Sequence, residues 1–352
     1  PPTPPRLVFV FPGQGGQWPG MARTLLASEP TFRATIAQVA QALQPLVPWS
    51  LPALLAADPP HPLLARIDVL QPALFALQLG LAAVLRTWGI SPDAVIGHSL
   101  GEVAAAVVAG VLPLADGARV IAHRAQLLHR LSGQGAMAVV ELPLAATQAA
   151  LQARADTLAV AASNSPSTTV VAGDPTALEQ QLAEWQAAGV FCRRIQVDVA
   201  AHSPQVEPLC AELRQALADL APQVGAVPFA STVSGALSDG SDLDGAYWAR
   251  NLRAPVLFGP TVAGLIAAGY TSFVELSPHP TLTAAVQEGL RAAGVAGLVV
   301  APLRREGADP AALLRGLGAL YCHGYPVAWE RLYPVCRPVP LPTYPWQRER
   351  FW

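Results

Sequence analysis

Ala94-Val95-Ile96-Gly97-His98-Ser99-Leu100-Gly101-Glu102 decides the reading of this chain. An apolar run, Ala94 to Ile96, reads as the end of a buried strand. The Ala- and Val-rich run from Glu102 to Leu112 reads as a buried helix. Between them a G-x-S-x-G turn sets a serine at a sharp strand-to-helix corner, the layout of a nucleophile elbow. Flanking glycines permit a tight turn, and a hydroxyl at the following helix N-terminus meets free N–H groups and a dipole that favour developing negative charge. Ser99 is therefore the candidate nucleophile for acyl transfer.

Working outward, Leu7 to Phe11 is a short apolar strand ending in the glycine-rich loop Pro12-Gly13-Gln14-Gly15-Gly16-Gln17. Amphipathic helices follow to about Ala57, then a turn at Asp58-Pro59-Pro60, a helix over Gln71 to Trp88, and the elbow strand. Strands alternating with helices imply a parallel sheet wrapped by helices. From Ala136 the pattern changes. Strands over Met137–Leu142, Leu158–Ala162, Thr168–Ala172 and Val190–Val197, with helices over Leu144–Ala153 and Pro175–Ala188, give the order βαββαβ of a ferredoxin-like unit. The expected class is α/β: a large α/β-hydrolase-like body, residues 1–134 and 200–302, with a small ferredoxin-like insert at 135–199. Residues 303–352 form a C-terminal segment with a helix at Pro310–Tyr321 and an aromatic tail, Leu341 to Trp352, expected to pack on the body.

The 352 residues, 52% of them hydrophobic, suffice for a sizeable core. A net charge of −2 and a pI near 6.4 leave no electrostatic case for nucleic-acid or membrane binding. Cys192, Cys210, Cys322 and Cys336 are widely spaced and match no histidine cluster, so neither a metal site nor a disulfide framework is indicated and a cytoplasmic setting fits. The longest apolar stretches are interrupted by Gln, Pro or charge before membrane-spanning length. Pro1-Pro2-Thr3-Pro4-Pro5 reads as the tail of a linker within a longer polypeptide.

A serine nucleophile needs a base. Two histidines follow strands: His202, in Val199-Ala200-Ala201-His202-Ser203-Pro204 at the end of the insert, and His279, in Ser277-Pro278-His279-Pro280 after a strand over Ser272–Leu276. Either is a candidate base, or a surface or capping residue. His98 belongs to the elbow and shapes its turn. Arg124 lies on the helix Gly117–Leu131 in the middle of an apolar face made by Val120, Ile121, Leu127, Leu128 and Leu131. A guanidinium there needs an anion, supplied either by an Asp or Glu of the chain or by a substrate carboxylate.

Taken together, Phe9-Val10-Phe11-Pro12-Gly13-Gln14-Gly15, Gln71-Pro72-Ala73, the elbow, Arg124, the His202 segment, Asn251-Leu252-Arg253 and the terminal Leu-Pro-Thr-Tyr-Pro-Trp-Gln-Arg resemble the acyltransferase domain of a modular type I polyketide synthase. The resemblance spans nearly the whole chain and implies a Ser–His dyad. His202 takes the Ser99 proton, Ser99 attacks an acyl-coenzyme A, and the acyl-serine passes to the phosphopantetheine thiol of an acyl carrier protein. It further implies an oxyanion hole from the backbone N–H groups of Gln14 and Leu100, a carbonyl of Asn251 orienting His202, and Arg124 binding the carboxylate of a malonyl-type group. Gln71 and His98 are placed in the substrate pocket. Acyl-coenzyme A, the carrier protein and neighbouring domains such as a ketosynthase are the implied partners, with no bound cofactor and no metal. The terminal segment resembles the linker that follows such domains.

Extender choice falls on Leu100, Val199, Ala200 and Ala201. In the family, malonyl-selective domains carry a bulky Phe before the histidine and methylmalonyl-selective ones tend to Tyr-Ala-Ser-His; Val199-Ala200-Ala201-His202 matches neither fully. Small Ala201, together with Arg66-Ile67-Asp68-Val69-Leu70-Gln71 and Ser203-Pro204-Gln205-Val206-Glu207, resembles the methylmalonyl group. Val199 in place of Tyr widens the pocket toward ethylmalonyl, and malonyl stays open. Two other classes stand as alternatives. One is a serine hydrolase using His279 with Asp242 or Asp244; the other is a non-catalytic docking segment of a megasynthase.

Overall fold

The computed structural model describes residues 5–305, 310–333 and 340–352. Strands run in the order β1 (Arg6–Phe11), β2 (Ala94–Gly97), β3 (Ala136–Val140), β4 (Leu158–Ser163), β5 (Thr169–Gly173), β6 (Cys192–Ile195), β7 (Phe229–Ser231), β8 (Ala236–Ser238), β9 (Tyr270–Glu275) and β10 (Leu298–Val300). They form two sheets. The larger is ordered β10-β9-β1-β2-β7-β8 and is parallel except for β8. Its central strands are buried on both faces, as β1 with five consecutive buried residues and β2 with four illustrate.

The smaller sheet, β4-β5-β3-β6, is antiparallel throughout. With the helices Leu144–Leu151 and Pro175–Ala187 it closes the ferredoxin-like βαββαβ unit expected from the sequence. Its strands alternate: Ala136, Ala138 and Val140 pack beneath the two helices with Leu178, Leu182 and Trp185, while Met137 and Val139 face the other way. A parallel bridge between Ala162 and Val256 joins the insert to the body.

Several boundaries move for physical reasons. The elbow helix is Gly101–Ala109, stopped by Gly110 in a left-handed cap at φ 81° rather than continuing to Leu112. The helix expected from Gln71 starts at Ile67 and runs to Thr87, carrying Pro72 inside it. At 21 residues it is long and apolar enough to cross a membrane despite its two glutamines and proline, yet most of its surface is packed inside the fold.

The C-terminal segment divides. Leu313, Leu317 and Leu320 of the helix Pro310–Cys322 sit in the main core. The aromatic tail does not pack on the body: residues 340–352 are exposed, Trp346 at 71% and Trp352 at 96%. Pro340, Pro342 and Pro345 remove donors and forbid a ladder or helix, and Tyr344 and Trp346 meet each other edge-on at 5.3 Å. Pro1 to Pro4 of the proline-rich start, and Cys336, lie outside the described residues.

Candidate active site

Several loops that border the site lie beyond the carboxyl ends of parallel strands, where open α/β sheets place their sites. The loop 12–17 follows β1, the elbow follows β2, Thr232 follows β7 and the His279 loop follows β9. The insert covers this edge. Between the two sheets lies a cavity of about 510 Å³, lined by Gln14, Gln71, His98, Ser99, Leu100, Arg124, Ala201 and His202 from the body side and by Met137, Val139, Val170 and Val199 from the insert.

The elbow is built by exclusion of side chains. Ser99 itself takes the left-handed conformation, φ 56°, whereas the flanking glycines do not have positive φ. Their role is proximity: a Cβ on Gly97 would overlap the Glu102 backbone, and one on Gly101 would overlap the Phe11 carbonyl of β1. The His98 N–H donates to that same carbonyl at 2.8 Å, fastening the turn to the sheet. His202 is the other non-glycine residue with positive φ among the described residues, at 62°. Strained backbone thus coincides with the two residues whose side chains meet.

Ser99 Oγ lies 2.7 Å from His202 Nε2. His202 Nδ1 is 2.8 Å from the Ala254 carbonyl oxygen, which only accepts, so Nδ1 carries the proton and Nε2 is free to receive that of Ser99. Burial and the Arg124 charge push the imidazole down to about 3, keeping it neutral at physiological pH. The expected orienting role of Asn251 is corrected: the carbonyl belongs to Ala254, just past the helix Gly245–Arg253 that carries Asn251. Asn251 instead donates from Nδ2 to the Ser99 carbonyl at 3.2 Å and to Glu102 Oε2 at 2.8 Å.

Arg124 is 1% exposed and has no carboxylate within ion-pair distance among the described residues. Its Nη1 donates to Gln71 Oε1 at 2.6 Å and its Nη2 to Ser99 Oγ at 2.7 Å; Nε has no partner. Desolvation lowers it to about 10, so it stays charged at neutral pH. Gln71 also reaches Gln14, donating to its Oε1 at 3.2 Å, so Gln14, Gln71, Arg124 and Ser99 form one chain of contacts. No protein acceptor takes the backbone N–H of Gln14 or Leu100 among the described residues.

Ala200 does not line the cavity. It is wholly buried in the core beneath the larger sheet, so of the four extender candidates Leu100, Val199 and Ala201 remain on the wall. His98 lines the cavity and its Nε2 is held at 2.9 Å by Asn164 Oδ1, a partner from the β4–β5 turn with no distinguishing sequence pattern. The alternative His279 set is not assembled. Asp244 caps a helix, Asp242 accepts from Ser238, and His279 Nδ1 accepts from the Arg305 N–H. Sequence reasoning also passed over Glu102, Thr232 and Tyr247; a carboxylate entering an otherwise apolar helix was the available signal.

The family model for the acyl transferase domain matches residues 8–325. The chain belongs to that family. It is 43% identical over 348 residues, 98% of its length, to erythronolide synthase EryA2 of Saccharopolyspora erythraea, of which it spans 10%. The acyltransferase domain from module 8 of the salinomycin polyketide synthase matches at 46% identity and a TM-score of 0.89, over 93% of this chain and 77% of that one. The acyl transferase domain of SpnD, solved in complex with 2-(pent-4-yn-1-yl)malonyl, matches at 31% identity and a TM-score of 0.83, over 92% and 78% of the two chains. The protein is thus an acyltransferase domain of the polyketide synthase type, with the α/β-hydrolase-like core and ferredoxin-like subdomain of that family.

Proposed function

We propose that this acyltransferase domain loads a dicarboxylic extender unit, methylmalonyl by preference, from coenzyme A through acyl-Ser99 onto the phosphopantetheine thiol of an acyl carrier protein. One observation carries this reading: Ser99 Oγ sits 2.7 Å from a neutral imidazole and 2.7 Å from a buried guanidinium that has no carboxylate partner among the described residues. Nucleophile, base and carboxylate receptor then converge on one acyl group.

In the first half-reaction His202 Nε2 takes the Ser99 proton as Oγ attacks the thioester carbonyl, and the imidazolium returns it to the departing coenzyme A thiolate. The carbonyl oxygen becomes an oxyanion facing the backbone N–H groups of Gln14 and Leu100, which have no protein acceptor to compete for them. The carrier-protein thiol gives its proton to His202 and attacks the acyl-serine, and Ser99 recovers the proton on leaving. Arg124 exchanges its Ser99 contact for the free carboxylate of the extender, with Gln71 fixing its plane.

The preference for methylmalonyl rests on small Ala201 and on Val199 and Leu100 at the cavity wall, which leave room for a branch at the α-carbon. SpnD's domain, a relative, was solved with a substituted malonyl group. A single methyl contact is worth about 1 to 3 kcal/mol, so the preference over malonyl is expected to be roughly 10- to 200-fold. The test is intact-protein mass spectrometry after brief exposure to equal malonyl-, methylmalonyl- and ethylmalonyl-coenzyme A. A methylmalonyl adduct absent in Ser99→Ala supports the reading; an adduct that persists in Ser99→Ala defeats it.

A further inference from the structure

Glu102 is wholly buried in the first turn of the elbow helix, and the proposed half-reactions leave it unused. Its Oε1 accepts from the Thr232 N–H at 2.5 Å and lies 2.8 Å from the Thr232 hydroxyl. Its Oε2 accepts from Tyr247 OH and from Asn251 Nδ2, each at 2.8 Å. Amide N–H groups only donate, and the tyrosine hydroxyl is in turn 2.8 Å from Ser231 Oγ, so the partners are arranged as donors to the carboxylate and act against the burial that pushes Glu102 above the usual carboxylate range. No basic side chain lies within ion-pair distance of it among the described residues. Donors that hold a buried carboxylate without an ion-pair partner in contact must themselves be fixed in place.

We infer that Glu102 is a positioning residue for acyl transfer: its carboxylate ties the serine elbow to the helix whose end supports His202, and so sets Ser99 and His202 against each other. The inference rests on the proposed Ser99–His202 dyad. Both connections are short. On one side the Asn251 amide bridges Glu102 Oε2 and the Ser99 carbonyl, directly at the residue with φ 56°. On the other, Tyr247 and Asn251 lie on the helix Gly245–Arg253, whose Leu252 carbonyl takes the His202 N–H at 3.1 Å and whose following Ala254 carbonyl takes Nδ1. His202 adopts φ 62° at that attachment. Neither conformation is one a non-glycine side chain holds without outside constraint, and Glu102 is where the two constraints join.

The test compares Ser99 acylation in the wild type, Glu102→Gln, Asn251→Ala and the double variant, using methylmalonyl- and acetyl-coenzyme A, with Ser99→Ala as control and thermal melts confirming folded protein. Glutamine keeps the shape but turns an acceptor into a donor facing donors. The expected result is a maximal acylation rate at least tenfold lower for both substrates with half-saturation within twofold, and a double variant no slower than the slower single one. An unchanged rate in folded Glu102→Gln, or losses that multiply in the double variant, overturns the inference. Should Glu102→Gln not fold, Tyr247→Phe and Asn251→Ala each remove one donor and carry the same test: slowing at least threefold supports it and unchanged rates overturn it. Wild-type acylation that survives Ser99→Ala sinks the dyad itself, which separates that failure from this one.

Discussion

Arg124 and His202 make opposite demands on the same small volume. A buried guanidinium with its Nε unpartnered gains most from an incoming carboxylate, and a charge-assisted bidentate pair in such a place is worth about 2 to 3 kcal/mol. Arg124→Ala is therefore expected to slow loading from methylmalonyl-coenzyme A by roughly 30- to 150-fold relative to acetyl-coenzyme A. Equal losses with both esters in a competition assay would make Arg124 a packing residue. The same charge, after burial itself, holds His202 at about 3 against an ordinary 6.5. As pH falls the unfolded chain binds the proton first, so this contribution to stability is intact above pH 6.5 and is lost as pH drops toward 3. Urea unfolding at pH 7 and pH 5 should show wild type losing on the order of 1 to 2 kcal/mol more than His202→Asn. Ser99 acylation should meanwhile stay flat from pH 7 to pH 5, since the base remains neutral; a rate that halves near pH 6.5 would mean the imidazole titrates normally.

At the scale of elements, the elbow depends on backbone approaching backbone. A Cβ at Gly101 would overlap the Phe11 carbonyl at the end of β1, and neither strand nor helix start can yield without breaking the sheet. Gly101→Ala is expected to cost 3 kcal/mol or more, read as a lower urea midpoint or loss of soluble protein. Gly264, in the exposed middle of the helix Phe258–Ala267, has nothing within 4 Å of such a Cβ, and Gly264→Ala should stabilise by about 0.5 to 1 kcal/mol. The elbow, the βαββαβ insert and Arg124 were legible in the sequence because each leaves a local mark: glycines around a serine, a change of period, a charge on an apolar helix face. Ala254 was not, because a carbonyl that orients a histidine leaves no residue signature, and only the fold brings it within 2.8 Å of Nδ1. Ala200 failed similarly. It shares the stretch leading to His202 with Val199 and Ala201, but which of three adjacent small side chains faces the cavity is set by tertiary placement.

Across the whole molecule, two sheets meet over one cavity and the C-terminal tail stands apart from both. Packing a tail onto a body requires its side chains to lose water and its backbone polar groups to find partners. Residues 340–352 do neither: each is exposed, and the aromatic pair that does form, Tyr344 with Trp346, lies within the tail. Burial of apolar surface contributes about 25 cal/mol per Å², so side chains left in water add almost nothing to the stability of the body. A large exposed apolar stretch instead promotes association between molecules. Removing residues 341–352 is therefore expected to leave the melting temperature within about 1 °C and Ser99 acylation unchanged while reducing self-association at high concentration, since a change of only a few tenths of a kcal/mol moves a domain of this size by no more than that. Differential scanning calorimetry and sedimentation of the two forms measure both quantities. A melting temperature several degrees lower would mean that the tail docks on the body in solution, and that the packing read from its aromatic sequence was right.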